Sequence, residues 1–578
     1  MAQAKSKTAP VFSQLDSALA ELHAARDDWA QTGNSERVAI LSEIKADLMA
    51  VSQDWVSEAA RQKQIPDNSS LVGEEWLSGP YAVMSACNGL IETISKMDGK
   101  TFLNGLPKRQ LPSGQTAVRV VPHSIWDRLL LSGVSAEVWM QKGVNVGNLA
   151  KHTAGGYDLP AGERKGKIAL ILGAGNIASI PILDCFQKLF QENQVVIVKM
   201  NPVNEYLIGF FEATFRSLIK RGAVRFVTGG VKEGAYLCNH ADVEEIHITG
   251  AATSHDAIVW GAGAVGAKNK KANTPVNTRR ITSELGGVGP VIVVPGPWSN
   301  ADITFQAEQI ATQKLHNSGF NCIACQMLIL PESWDKSDVL VDRIQSVMSA
   351  APGRGLYYPG AENRMQDFAQ HAKNIVNFKR PASEACVIAP MADAPDRYFE
   401  TTEVFAPAMS TYKIDAADAE AYLRAAVKYA NDQLYGTLGA NILIHPSTRR
   451  KIGKKKFDEI LLALEFGTIA VNAWTGLGFL SAQVPWGAFP GHTPKDVGSG
   501  IGFVHNSFMF DRPERTVVTA PFRPFPRNLL SGGITLLPRP PWFITNKRQT
   551  QIGRVLTRFQ HRPSFLKIPA IFYHALLG

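Results

Sequence analysis

Cysteine is scarce in this chain. Six are present among 578 residues (Cys87, Cys185, Cys238, Cys322, Cys325 and Cys386), scattered without a repeating framework. That pattern excludes a disulfide-built scaffold and points to a reducing compartment. Long hydrophobic runs are missing too. The most apolar stretch, Ile168 to Leu183, is interrupted by Gly173, Gly175, Asn176 and Pro181, which a lipid-facing span tolerates poorly, so no transmembrane helix is expected. The first thirty residues hold no apolar segment between a basic start and a small-residue cleavage site, and a cytoplasmic protein is expected. No internal repeat or low-complexity block is present. Acidic residues are absent from Pro521 onward, where nine bases fall (Arg523, Arg527, Arg539, Lys547, Arg548, Arg554, Arg558, Arg562 and Lys567). The formal net charge of +9 is therefore that of the tail, and the rest of the chain is formally neutral.

What is present is a globular pattern. The length exceeds one ordinary core, and 45% hydrophobic content is enough to bury two or more. Between Gln14 and Gln64, apolar residues recur at helical spacing (Leu15, Leu22, Trp29; then Ile40, Leu41, Ile44, Leu48), with Asn34-Ser35-Glu36 as a start signal for a second helix. From Lys167 short apolar runs alternate with amphipathic segments. Ile168 to Leu172, Val195 to Val198, Val224 to Val227, Glu245 to Ile248, Pro290 to Val294 and Gln326 to Leu330 read as strands. Pro181 to Gln191 and Glu205 to Lys220 read as helices between them, so βαβ units, parallel sheets and an α/β fold class are expected. Val517 to Pro541 reads as extended. Ile552 to Leu577 reads as a helix broken near Pro563 and Pro569.

Two short segments carry the chemistry. Ser283-Glu284-Leu285-Gly286-Gly287 places a carboxylate before a Gly-Gly turn, and Asn317-Ser318-Gly319-Phe320-Asn321-Cys322 places a cysteine among small residues 38 positions after that carboxylate. A thiol that can be deprotonated is a nucleophile, and a carboxylate of raised pKa is a base for water. Together the segments resemble the signature of the aldehyde dehydrogenase superfamily over roughly residues 14–510.

That resemblance implies a Rossmann-type cofactor domain, an α/β catalytic domain and a small oligomerisation element. The corresponding divisions are 1–286 for the N-terminal helices and cofactor domain (with an oligomerisation part near 140–165), 287–480 for the thiol domain, 481–515 for the return, and 516–578 for an extension. It implies that Cys322 is the nucleophile, Glu284 the base and Asn176, in Leu172-Gly-Ala-Gly-Asn176, an oxyanion donor. The same glycines also read as a dinucleotide G-x-G-x-x-A turn, a weak signal alone. Cofactor contacts implied are Lys199, Thr249-Gly250, Glu403 and Phe405, with no metal ligand. Pro202 stands where family members that use NAD commonly have Glu, so NAD or NADP is expected. Departures from the family pattern are Phe320 for Gln, Val288 for Lys, Ala251 for Ser, Ala406 for Gly, and Pro485-Trp-Gly-Ala-Phe489 for Pro-Phe-Gly-Gly. Trp474, Phe479, Trp486 and Phe489 are candidates for a hydrophobic aldehyde tunnel, with core packing the equal alternative. Cys325 reads as apolar filler.

The implied reaction is oxidation of an aldehyde to a carboxylic acid. Transfer of the acyl group to coenzyme A is the alternative, opposed by Glu284, and a noncatalytic binding role is a second. A homodimer or homotetramer is implied by the resemblance. The basic tail reads as a subunit contact or a peripheral membrane contact, with polyanion binding third and no specific nucleic acid expected.

Overall fold

The computed structural model describes residues 10–372, 374–378, 380, 386–390 and 397–578. Two sheets organise the chain. The six-stranded sheet runs in the order Gly500–Ile501, Arg280–Leu285, Glu245–Gly250, Ile168–Leu172, Val195–Lys199 and Val224–Val227. All its pairs are parallel except the edge pair Gly500–Ile501 with Arg280–Leu285. Ile168 to Ile171 and Val195 to Val198 are buried on both faces, the near-continuous apolar reading of a covered parallel sheet. The strands expected from Ile168, Val195, Val224 and Glu245 lie in this sheet, within two residues of the expected ends.

The eleven-stranded sheet has Gly289–Val293 and Cys325–Pro331 near its centre, paired in parallel. On one side follow Gly439–Leu443, Thr468–Val471 and Pro513–Thr519, then three antiparallel strands, Ser135–Met140, Thr116–Val121 and Lys108–Gln110. On the other follow Ala408–Ile414, Cys386–Pro390 and Val376–Phe378. The strands between 108 and 140 thus join the thiol-bearing sheet through Pro513–Thr519, not the six-stranded one.

The two expected N-terminal helices are Pro10–Ala30 and Asn34–Gln62. Ile40, Leu41, Ile44 and Leu48 of the second are all buried, and at roughly 1.5–3 kcal/mol per side chain such a stripe outweighs helix propensity. Arg37, itself buried, ties the pair together by donating to the carbonyls of Trp29, Thr32 and Leu189.

The basic tail folds back onto its own chain. Gln306 Nε2 donates to Phe522 O at 2.8 Å, and Ile544 N donates to Thr312 Oγ1 at 3.1 Å, fastening the tail to helix Asn300–Leu315. Phe543 packs on Phe305 with ring centroids 5.3 Å apart. Helix Gln549–His561 then lies against helices Val72–Trp76 and Ala82–Ser95, so close that a Cβ on Gly73 would stand 2.3 Å from the Gln549 carbonyl carbon. Asn88 Nδ2 donates to Gln560 O at 2.9 Å. Pro563 lies in the break after this helix, as expected. Pro569 does not break the next one: it occupies the start of Ile568–Leu576, where its missing N–H has no helical acceptor to lose. The segment 520–541 is irregular, with a short 3-10 turn at Arg527–Ser531. Among the described residues no helix is long and apolar enough to cross a membrane.

Asp302 is the electrostatic anchor of the tail. Its side chain is fully enclosed and receives Arg523 Nη2 at 2.6 Å and Arg527 Nη2 at 2.8 Å. Burial pushes its pKa up, but the hydrogen bonds from Arg523 and Ser299 win, holding the carboxyl well below the usual range. A depressed pKa contributes stability that is present above the ordinary Asp value of about 3.9 and is lost as pH falls through the folded value. Asp302→Asn is expected to cost about 2–3 kcal/mol in urea unfolding at pH 7, with the wild-type advantage shrinking below about pH 4; an equal midpoint for both proteins at pH 7 would refute this anchor.

Candidate active site

Strand Arg280–Leu285 carries Glu284 one residue before its end, where it pairs with Gly500 across the sheet edge. The thiol arrives from the eleven-stranded sheet, three residues before its strand Cys325–Pro331. Helix Asn300–Leu315 is followed by a turn in which Asn317, Ser318 and Gly319 all have positive φ (53°, 54° and 79°). Two successive non-glycine residues in the left-handed region are unfavourable, at about 1–2 kcal/mol each, and persist only when their surroundings hold them.

The surroundings do. Asn317 N donates to Glu74 Oε2 at 3.0 Å, and Asn317 Nδ2 donates to Asn176 O and Phe320 O, each at 3.1 Å. Tyr357 Oη lies 2.9 Å from Asn317 Oδ1 and 3.1 Å from Asn176 O, with its one hydrogen shared between these two acceptors. Glu74 Oε2 also receives Arg354 Nη1 at 2.7 Å, while Glu75 receives Lys63 Nζ at 2.9 Å. Lys63, Glu74, Glu75 and Arg354 each have side chains 1% exposed. These four charges sum to zero, and removing any one leaves a buried partner unpaired, typically a loss of 3–5 kcal/mol.

Within this frame Cys322 Sγ donates to Glu284 Oε1 at 3.1 Å. Glu284 is buried, its Oε2 has no partner, and burial pushes its pKa up to about 7. Burial first, and the adjacent Glu284 carboxylate second, push the Cys322 thiol well above its ordinary value. Cys322 nevertheless remains partly accessible. It opens on a small pocket lined by Asn176, Trp474, Phe479, Trp486 and Trp542 among others. Asn176 Nδ2 gives one hydrogen to Phe320 O at 3.0 Å. Three of the four expected tunnel aromatics are thus at the thiol. The fourth is not: Phe489 lies under the Arg515 guanidinium at 4.7 Å, because strand Pro485–Gly487 turns away before it. Cys325 is buried in strand Cys325–Pro331, its thiol pushed up to about 12 by burial.

On the opposite side of Glu284 the Gly286-Gly287 turn admits a second carboxylate. A Cβ on Gly286 would stand 2.0 Å from Glu403 Oε2. Burial raises the Glu403 pKa to about 8, against the charges of Lys314 and Arg364 and the N–H of Gly287. Its Oε1 is buried with no partner. An orphan acceptor over a glycine-lined gap is the environment a sugar hydroxyl would complete. Phe405, at φ 42°, packs tilted against Phe320 and edge-on against Tyr358 (centroids 5.8 and 5.1 Å). Lys199 and Gly250 close the carboxyl ends of Val195–Lys199 and Glu245–Gly250, which flank Ile168–Leu172. That is the crevice where dinucleotides bind in open parallel sheets. Burial lowers the Lys199 pKa. The Thr249 hydroxyl points into the core, donating to Asp184 Oδ2 at 3.0 Å. The space facing Gly175 is filled by Asn201, 2.8 Å from where a Cβ would lie.

Sequence reasoning missed Glu74, Arg354, Tyr357 and Trp542. A signal existed for the first: the acids Glu74-Glu75 interrupt an otherwise apolar stretch, Leu71 to Val83. Arg354 gave none, since its partner lies 280 positions away.

Residues 180–357 match the model of the aldehyde dehydrogenase family. The chain is similar to an aldehyde dehydrogenase of Enchytraeus buchholzi (25% identity; 50% of this chain, 55% of that one) and to aldehyde dehydrogenase 1A1 of Oryctolagus cuniculus (27%; 47% and 53%). It spans about half the length of these curated relatives. Among solved structures it is similar to lactaldehyde dehydrogenase of Escherichia coli (TM-score 0.57, 16% identity, 87% of this chain and 90% of that one). It is likewise similar to an indole-3-acetaldehyde dehydrogenase in complex with NAD+ (0.57, 17%, 88% of each chain).

The thiol–carboxylate contact generates a measurable expectation. Alkylation of Cys322 by iodoacetamide should still be rising above pH 9, and Glu284→Gln should move that rise to lower pH by removing the neighbouring negative charge. Cys322→Ser serves as the blank. Identical profiles for wild type and Glu284→Gln would show that the two groups do not interact.

Proposed function

We propose that this chain is a member of the aldehyde dehydrogenase superfamily, a reading its similarities support, and that it oxidises an aldehyde to a carboxylic acid with NAD or NADP. The observation that carries the reading is the hydrogen bond from Cys322 Sγ to Glu284 Oε1, between a nucleophile and a base of pKa about 7.

In this reading Glu284 takes the Cys322 proton and the thiolate adds to the aldehyde carbonyl carbon. The oxyanion that forms is held by the second hydrogen of Asn176 Nδ2 and by the Cys322 backbone N–H. When bound in the crevice, a nicotinamide supplies the acceptor for the hydride that leaves the tetrahedral carbon. Lys199, Gly250 and Glu403 are the residues that would hold the dinucleotide, Glu403 through its unpartnered Oε1, with Phe405 beside them. The exposed Pro202 offers no carboxylate against a 2′-phosphate, which supports use of both NAD and NADP. Once Glu284 has released that first proton to solvent, a water whose proton passes to Glu284 hydrolyses the thioester left on Cys322, and the thiolate departs as leaving group. A self-assembled dimer or tetramer, common in the family, belongs to the same reading.

Reduced nicotinamide formed from an aldehyde panel tests it. Cys322→Ala is expected to abolish turnover, and Asn176→Ala to reduce kcat about a hundredfold, the ~3 kcal/mol of one oxyanion donor. Because Glu284 is protonated below its pKa, kcat should rise with pH through about 7, and Glu284→Gln should remove that limb. Turnover persisting in Cys322→Ala would refute the thiol as nucleophile.

A further inference from the structure

Behind the thiol pocket lies a second, larger cavity of about 280 Å³, near the lower end of the ~300–1,000 Å³ of small-molecule sites. Leu77, Trp474, Leu480 and Trp542 line both. The two spaces therefore adjoin along these four apolar side chains, with Cys322 lining the smaller one.

The walls of the larger cavity come from two sources. The body contributes Tyr81 and Leu131 among others, and the tail contributes Leu537, Trp542, Leu556 and Phe559. Its charged lining groups are engaged elsewhere. Arg523 is bound to Asp302, Arg539 lies 3.4 Å from Glu308, Glu92 accepts from His123 at 2.8 Å, and Asp127 caps a helix through Ser124. What faces the interior is chiefly hydrocarbon and aromatic surface. A ligand there gains free energy by burying apolar area and finds no lining charge left to pair with.

We infer that the substrate is an aliphatic aldehyde of medium or long chain, with its carbonyl at Cys322 and its alkyl tail passing Trp474 and Trp542 into the cavity roofed by residues 537–559. The inference rests on the dehydrogenase reading above and adds the substrate class to it. It also gives the extension a role, since Leu537, Trp542, Leu556 and Phe559 supply part of the cavity's apolar lining.

A series of unbranched aldehydes from propanal through octanal to dodecanal tests the inference, on wild type and on Leu556→Trp, which fills the cavity from the roof helix. In the wild type kcat/KM should climb about fourfold per added methylene until the cavity is full. The ratio of dodecanal to propanal should fall at least tenfold in Leu556→Trp. A flat chain-length profile, or an unchanged ratio in a folded variant, would overturn the inference while leaving aldehyde oxidation intact. Calorimetric titration with dodecan-1-ol, which cannot be oxidised by thiol addition, reads the cavity without turnover. Binding to wild type that is weakened in Leu556→Trp supports the alkyl site even if no aldehyde is oxidised, a result that would sink the proposed reaction alone. No binding of dodecan-1-ol to the wild type would overturn the alkyl site. If Leu556→Trp does not fold, the wild-type profile and the titration decide between the same two results.

Discussion

The geometry of the site depends on one hydrogen bond to a strained turn, that from Asn317 N to Glu74 Oε2. Asn317, Ser318 and Gly319 run successively through the left-handed region, and a turn of that kind relaxes unless it is over-determined. Glu74 belongs to a helix more than two hundred residues earlier. Its carboxylate is desolvated, and Arg354 satisfies the same oxygen. The neighbouring Lys63–Glu75 pair keeps the cluster neutral. Buried ion clusters are weak contributors to net stability but set geometry firmly, because every departure leaves a charge unpaired. Here the geometry set is the position of Cys322 relative to Glu284 and Asn176.

That dependence links the tail to the site. Helix Val72–Trp76, which carries Glu74 and Glu75, is covered by Gln549–His561 from the tail, with Gly73 pressed against Gln549. The tail in turn is fastened to helix Asn300–Leu315 by Asp302 and Thr312. The same helix leads into the nucleophile turn. The tail therefore braces the turn from both sides, and also supplies Trp542 to the thiol pocket.

The parallel strands and the thiol motif were legible in the sequence because their determinants are local. Ile168 to Leu172 is an uninterrupted apolar run, and Glu284 and Cys322 sit in short segments with diagnostic small neighbours. The destination of the tail was not legible. Arg523, Arg527 and Arg539 looked like free charge because Asp302 and Glu308, which receive them, stand more than two hundred residues away. Its aromatic residues read as a surface anchor because Trp126 and Phe305, which Phe559 and Phe543 meet, are equally remote. Pro569 was misread for a simpler reason: proline interrupts a helix interior but opens a helix readily, and composition alone does not tell the two positions apart. Phe489 failed as a tunnel residue through a single turn of backbone after Gly487.

Covalent trapping at Cys322 is the most direct test of the site. Glu284→Gln removes the base for water but leaves the Cys322 thiol, whose ionisation the lost negative charge moves to lower pH, so incubation at pH 9 with dodecanal and NAD or NADP should leave the protein heavier by one dodecanoyl group. Intact-mass and peptide measurements should place that group on Cys322. Turnover with no acyl adduct, or an adduct on another residue with Cys322 unmodified, would contradict the assignment of nucleophile and base.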